Sequence, residues 1–141
     1  MKVRPSALII ENNHVLLLRY NYSGNDVFAL PGGNPDLGET LTQAVERELS
    51  EELGIETEIG EMLMAGEVLL SPAKEDVLHC IFRAQIVGGI PILNPSQTTA
   101  LEIVWQPMSA LAQLNLYPNV GSYIASMTGG YVGKIDQSFF G

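Results

Sequence analysis

The stretch LTQAVERELSEELGI, residues 41–55, places four glutamates and one arginine in a segment whose apolar residues recur at helical spacing. With residues set 100° apart and Leu41 at zero, Ala44, Val45, Leu49 and Leu53 fall in one sector, from about −60° to about +120°. Glu48, at about −20°, and Glu52, at about +20°, fall inside that sector, and Glu51 lies at its margin near −80°. Gln43, Glu46, Arg47 and Ser50 occupy the other side. The ends are also marked: Thr40 and Gln43 fit a capping box, and Gly54 suits the left-handed position that closes a helix. A helix is expected over about 40–53.

The ordinary role of a glutamate-rich helix is a solvated face, and the wheel argues against it. A carboxylate beside an apolar stripe must be paired, protonated or bound to a cation, because uncompensated burial costs several kcal/mol. By its wheel position Arg47 reaches Glu51 at i+4 but points away from Glu48 and Glu52. One arginine cannot neutralise three acids. A hard divalent cation can, and spacings of i, i+3 and i+4 bring Glu48, Glu51 and Glu52 together along one ridge.

Upstream, LPGGNPDLGET (residues 30–40) supplies a glycine-rich bend and an acid, Glu39, directly before the helix. Glycine lets backbone approach a ligand closely. Further out, ALII (7–10) and VLLL (15–18) flank ENNH and read as a β-hairpin, since Asn tolerates the left-handed backbone of a tight turn. YSGND (22–26) reads as a loop and VFALPGG (27–33) as a short strand. EIGEMLMAGEVLL and VLHCIFRAQIVG read as two long strands around the loop SPAKED, and LEIVW (101–105) as another. MSALAQLN and NVGSYIASM read as helical, separated by LYPN. The fold class is α/β (α+β): a mixed sheet covered by helices on its faces. The last stretch, TGGYVGKIDQSFFG (128–141), fits a pocket wall, an interface or a mobile tail.

The 141 residues are expected to form a single domain, 1–141, with 46% hydrophobic residues for its core and 16% charged. Seven Lys plus Arg against 16 Asp plus Glu give a net charge of −9, which disfavours nucleic acid and anionic membranes as partners. An anionic small substrate meets the same repulsion unless a bound cation inverts the local field. The single cysteine, Cys80, suits a reducing compartment, and the apolar run ending at Glu11 is far too short for a signal peptide or membrane span. Cytoplasmic localisation is the simple expectation.

From Gly33 to Ile55 the chain reads Gly33, five residues, Glu39, seven residues, Arg47, Glu48, Leu49, one residue, Glu51, Glu52, one residue, Gly54, Ile55. This resembles the Nudix box at every defined position. The surrounding layout is similar to the same family, whose fold implies an α/β/α sandwich around a mixed β-sheet. The resemblance implies a hydrolase that cleaves a phosphoanhydride in a nucleoside diphosphate linked to another moiety, with Mg2+ or Mn2+ as cofactor. It implies Glu48, Glu51 and Glu52 as metal ligands, the Gly33 carbonyl as a further one, Arg47 as the residue orienting a glutamate, most simply Glu51 by helix spacing, and Glu39 as an outer support for the loop or as acting through a metal-bound water. Glu52 or Glu48 is the first choice of general base, with Glu75, Asp76 and Glu102 as outside candidates. Glu102 matches a region where relatives place another metal-binding acid, and a solvated strand-end acid is the competing role.

Water attacking a phosphorus surrounded by anionic oxygens needs charge neutralisation, an activated water and alignment, and clustered divalent ions supply all three. His14 and His79 have no His or Cys partner at zinc spacing. Tyr20, Tyr22, Phe28 and Tyr117 are residues that could stack on a base or pack the core. The expected partner is a small-molecule nucleotide: ADP-ribose, towards which Pro72 hints by the resemblance, a nucleotide sugar or a nucleoside triphosphate. Relatives are often dimers, but nothing in the sequence demands a homodimer. The alternative functions are a catalytically silent Nudix-fold nucleotide-binding or regulatory module, and a structural protein with its acidic helix at an oligomer interface.

Overall fold

A computed structural model describes residues 1–137. The chain opens with a hairpin, β1 (Lys2–Glu11) and β2 (His14–Tyr22), turned through Asn12 and Asn13 at φ 51° and 62°. This is the left-handed pair that a two-residue turn demands and that Asn tolerates. β3 (Asn25–Ala29) follows, then α1 (Leu41–Leu53), the long antiparallel pair β4 (Glu56–Val68) and β5 (Val77–Gly88), and β6 (Glu102–Pro107). A 3-10 helix (Met108–Gln113), β7 (Leu116–Tyr117), α2 (Gly121–Ala125) and β8 (Gly130–Lys134) complete the described residues. They form an eight-stranded mixed sheet of order β7-β3-β2-β1-β5-β4-β8, with β6 paired to β2.

The unbroken apolar runs of β1 and β2 follow from burial on both faces. Ala7, Ile9, Leu16 and Leu18 pack with Val45, Leu49 and Leu53 of α1. Leu8, Val15 and Leu17 point the other way, onto Leu111 of the 3-10 helix and onto Val120 and Ile124 around α2. The α/β/α sandwich is therefore present. Thr40 and Gln43 form the expected capping box, and Gly54 takes the left-handed cap at φ 66°. The carbonyls of Glu52 and Leu53 accept the backbone N–H groups of Asn94 and Ile92, so the loop between β5 and β6 closes the end of the helix.

Four local readings differ. The expected loop at 22–26 is a tight turn, because β2 and β3 stay paired up to Tyr22 and Asn25 around Ser23 and Gly24. MSALAQLN forms a 3-10 helix rather than a full α-helix. LYPN contributes β7, a two-residue strand beside β3. Part of the C-terminal stretch is β8, parallel to β4, a pairing that local sequence does not announce; Ser138, Phe139, Phe140 and Gly141 lie outside the described residues.

The arrangement of β1 positions the site. It pairs with β5 from Lys2 to Ile9 but with β2 only at Ile10–Val15 and Glu11–His14. Elsewhere the Pro31–Gly33 segment lies against it: Ala7 N–H donates to the Pro31 carbonyl at 2.8 Å, Gly33 N–H to the Pro5 carbonyl at 3.3 Å, and Ser6 bridges Gly32. A Cβ on Gly32 would overlap the Pro5 carbonyl and lie 2.7 Å from Ser6 Cα, so only glycine fits there.

Candidate active site

The glycine bend and α1 meet at Gly33 and Glu48. Gly33 approaches so closely that a Cβ there would overlap the Glu48 carboxyl. Arg47 ties the two segments together. Its Nε and one terminal nitrogen donate to the two Glu39 oxygens at 2.7 and 3.1 Å, and the same terminal nitrogen reaches the Asn34 carbonyl at 3.1 Å. The other terminal nitrogen donates to Glu48 at 3.0 Å and to Glu51 at 3.2 Å. The wheel placed Arg47 away from Glu48, but the long side chain lies along the helix surface and spans the difference. Glu39 also accepts the Asp36 N–H at 2.7 Å, closing the loop before the helix. These hydrogen bonds, led by those from Arg47, hold the Glu39 carboxyl below its ordinary value.

Glu52 is treated differently. No arginine reaches it; burial first, then the charge of Glu48, pushes its carboxyl up to about 7, with Glu51 adding to the rise and Arg4 opposing it. Glu48 and Glu52 stand within hydrogen-bonding reach of each other. A buried carboxylate beside another carboxylate must hold a proton or a cation. Among the described residues no three acid, His or Cys side chains converge as a cation shell, and Arg47 engages Glu48 and Glu51. The all-oxygen donors, the glycine closing on Glu48 and the unneutralised Glu52 fit a hard divalent cation.

Of the other sequence candidates, Glu102 is exposed and accepts Arg19 Nε at 3.0 Å, and Arg19 also pairs with Asp26. No hydrogen bond or ion pair among the described residues links Glu102 to the helix acids. Asp76 accepts the N–H groups of Leu70 and Ser71 at 2.7 and 2.9 Å, which lowers its carboxyl and makes it a loop brace. Glu75 lines a cleft described next.

That cleft, of about 870 Å3, opens where β1 and β2 part, and Arg4, Tyr20, Tyr22 and Tyr117 are among its lining residues. The charges of both Arg4 and Glu52 act on the Tyr20 hydroxyl, so the cleft lies within electrostatic reach of the helix acids. Tyr20 and Tyr22 stack with centroids 6.1 Å apart and planes 6° from parallel. Arg4 is not among the residues that the sequence singles out. The available signal was an arginine with no acid among its neighbours in β1. Among the described residues no helix is long and apolar enough to cross a membrane.

The chain resembles known proteins along most of its length. An ADP-ribose pyrophosphatase of Methanocaldococcus jannaschii is 34% identical over 91 residues, which are 62% of this chain and 52% of that protein. The chain thus spans about half the length of this curated relative. Among solved structures, a MutT NUDIX hydrolase from Burkholderia pseudomallei is 26% identical, with TM-score 0.66 over 77% of this chain and 84% of the other. A MutT protein from Methanosarcina mazei Go1 shares the fold at TM-score 0.74 and 23% identity, over 89% of this chain and 91% of the other. The NUDIX domain family model matches residues 1–127. With that match and the Gly33–Ile55 geometry in hand, the chain belongs to the NUDIX family.

Proposed function

We propose that the protein hydrolyses a phosphoanhydride bond in a nucleoside diphosphate linked to a second moiety, with Mg2+ or Mn2+ as cofactor. The observation that carries this reading is the Glu48–Glu52 pair against Gly33, in which Arg47 pairs with Glu48 and leaves Glu52 without a cation, within electrostatic reach of a cleft large enough for a nucleotide. Glu48 and Glu52 would hold the cation, with Glu51 and the Gly33 carbonyl as the further ligands that the family resemblance implies. Bound there, a divalent cation supplies neutralisation of phosphate charge and a lowered pKa for water.

The chain's own residues do the rest. Arg47 fixes Glu48 and Glu51 and holds the glycine loop through Glu39. Glu52, the helix acid that no arginine neutralises, is the group we favour to take a proton from the attacking water. Tyr20 and Tyr22 offer a flat apolar face to a base. ADP-ribose is the first substrate to try, on the name of the Methanocaldococcus relative.

The test is a panel assay at slightly alkaline pH with Mg2+ or Mn2+, offering ADP-ribose, nucleotide sugars, nucleoside triphosphates and dinucleoside polyphosphates. Metal-dependent cleavage of one class, with the product pair identifying the broken bond, is the expected outcome. Silence across the panel with metal binding intact would leave a binding module.

A further inference from the structure

Among the described residues, Arg4 forms no ion pair with any acid. Of the four arginines, Arg19 is paired with Asp26 and Glu102, Arg47 with Glu39, Glu48 and Glu51, and Arg83 with Glu61. Among the described residues no carboxylate lies within ion-pair distance of Arg4, in a chain with 16 acids against seven bases. Acids are abundant, so this lack of a partner is selective. Arg4 is also held in place. Its guanidinium carbon lies 5.9 Å from the centre of the Tyr117 ring, and that ring meets His79 edge to face at 5.2 Å and 86°. His79 is fully buried with neither ring nitrogen hydrogen-bonded, and burial keeps it neutral. The cation therefore rests on an aromatic support that orients it without cancelling its charge.

The surroundings say what it awaits. Lys2 and Lys74 line the same cleft, which gathers three of the chain's seven basic residues in a protein of net charge −9. The parallel rings of Tyr20 and Tyr22 line it as well. One carboxylate, Glu75, is also among the lining residues. A planar apolar face beside unpaired cations suits a ligand with a flat ring at one end and phosphate at the other.

We infer that Arg4 is a substrate-binding residue that takes phosphate oxygens of the nucleotide, with Tyr117 as the positioning residue that aims it. A guanidinium presents a planar fork that matches two phosphate oxygens, which an ammonium cannot reproduce. The identity of this ligand rests on the nucleotide-hydrolase reading above; the readout below needs neither turnover nor metal.

Calorimetric titrations in metal-free buffer with chelator would compare ADP, GDP, UDP and CDP, each against its parent nucleoside. For the diphosphate that binds wild type best, Arg4→Ala should weaken binding about 10- to 100-fold, with Arg4→Lys in between and the parent nucleoside changed less than about twofold. Tyr117→Leu should weaken the diphosphate in the wild-type background and have little further effect in Arg4→Ala, a coupling that a merely structural tyrosine would not show. Unchanged diphosphate binding by folded Arg4→Ala overturns the inference, as does equal loss of diphosphate and nucleoside, or a wild type that binds none of the four. If the panel assay shows no turnover but the selective loss appears, the hydrolase reading falls and Arg4 keeps its role. Turnover with no selective loss is the converse.

Discussion

Arg47 grips both oxygens of the Glu39 carboxylate, at 2.7 and 3.1 Å, and so fastens α1 to the loop that precedes it. The same guanidinium holds Glu48 and Glu51, so loop position and carboxylate position are set by one side chain.

Arg47→Lys should break this coupling, since an ammonium cannot hold Glu39 through two parallel bonds while also reaching Glu48 and Glu51. The expected result is a folded protein whose metal affinity falls about 10- to 100-fold, the usual effect of removing a residue that orients metal ligands. Mg2+ or Mn2+ titration by calorimetry checks it; unchanged affinity would reduce Arg47 to a surface ion pair.

Glu52→Gln should keep the fold and lose most turnover. Near-normal kcat with the substrate found in the panel assay would remove Glu52 from the mechanism. The same variant should melt higher than wild type at about pH 8 without metal, because it deletes a charge that burial and Glu48 disfavour.

The pH dependence of metal binding follows from the same group. Its ordinary value is 4.5, and in the folded, metal-free protein it stands at about 7. Between those values the folded chain holds a proton that the unfolded chain has released. This group's contribution to stability is therefore full below about pH 4.5 and is lost as pH rises through about 7. A cation displaces that proton, so saturating Mg2+ should raise the melting temperature more at about pH 8 than at about pH 5.5. A Glu48/Glu51/Glu52 triple Gln variant should show little Mg2+ shift at either pH; equal shifts in both proteins would mean that this site does not hold the ion.

The two glycines should respond differently to alanine. At Gly32 the new methyl meets backbone of Pro5 and Ser6, so Gly32→Ala should destabilise by about 1–3 kcal/mol, the usual range for overpacking. At Gly33 it meets the Glu48 side chain, which can swing aside. Gly33→Ala should therefore fold more nearly like wild type while metal affinity drops. Denaturant midpoints and metal titrations, measured together, separate the two effects.

His79 predicts an acid weakness. Its pKa falls from the ordinary 6.5 to about 4 because burial, and then Arg4, oppose its charge. The stability it lends is present above about pH 6.5 and is lost as pH falls through about 4, a change of order 3 kcal/mol. His79→Phe should flatten that part of the stability-against-pH curve; an unaltered curve would assign acid sensitivity to other groups.

The hairpin, α1 with both its caps, and the acids of the box were legible in sequence because each is written in neighbouring residues: Asn12–Asn13, Thr40–Gln43, Gly54, and spacings of three and four. β7 and β8 were not, because a two-residue strand and a glycine-rich strand are created by partners, β3 and β4, far away in the chain. The reach of Arg47 to Glu48 was hidden because a wheel fixes Cβ direction and says nothing of a long side chain's course. The cleft was hidden because it is made by the parting of β1 and β2, which register alone determines.

β1 carries Arg4 into that cleft and, through Pro5, Ser6 and Ala7, holds the Pro31–Gly33 segment against the sheet. Four successive residues thus serve recognition at one end and the acidic centre at the other. For anyone re-engineering this protein, β1 is the strand to leave alone. New substrate preferences belong at the lining residues outside β1, such as Tyr22 or Leu70 and Lys74, which make no hydrogen bond to the glycine bend among the described residues.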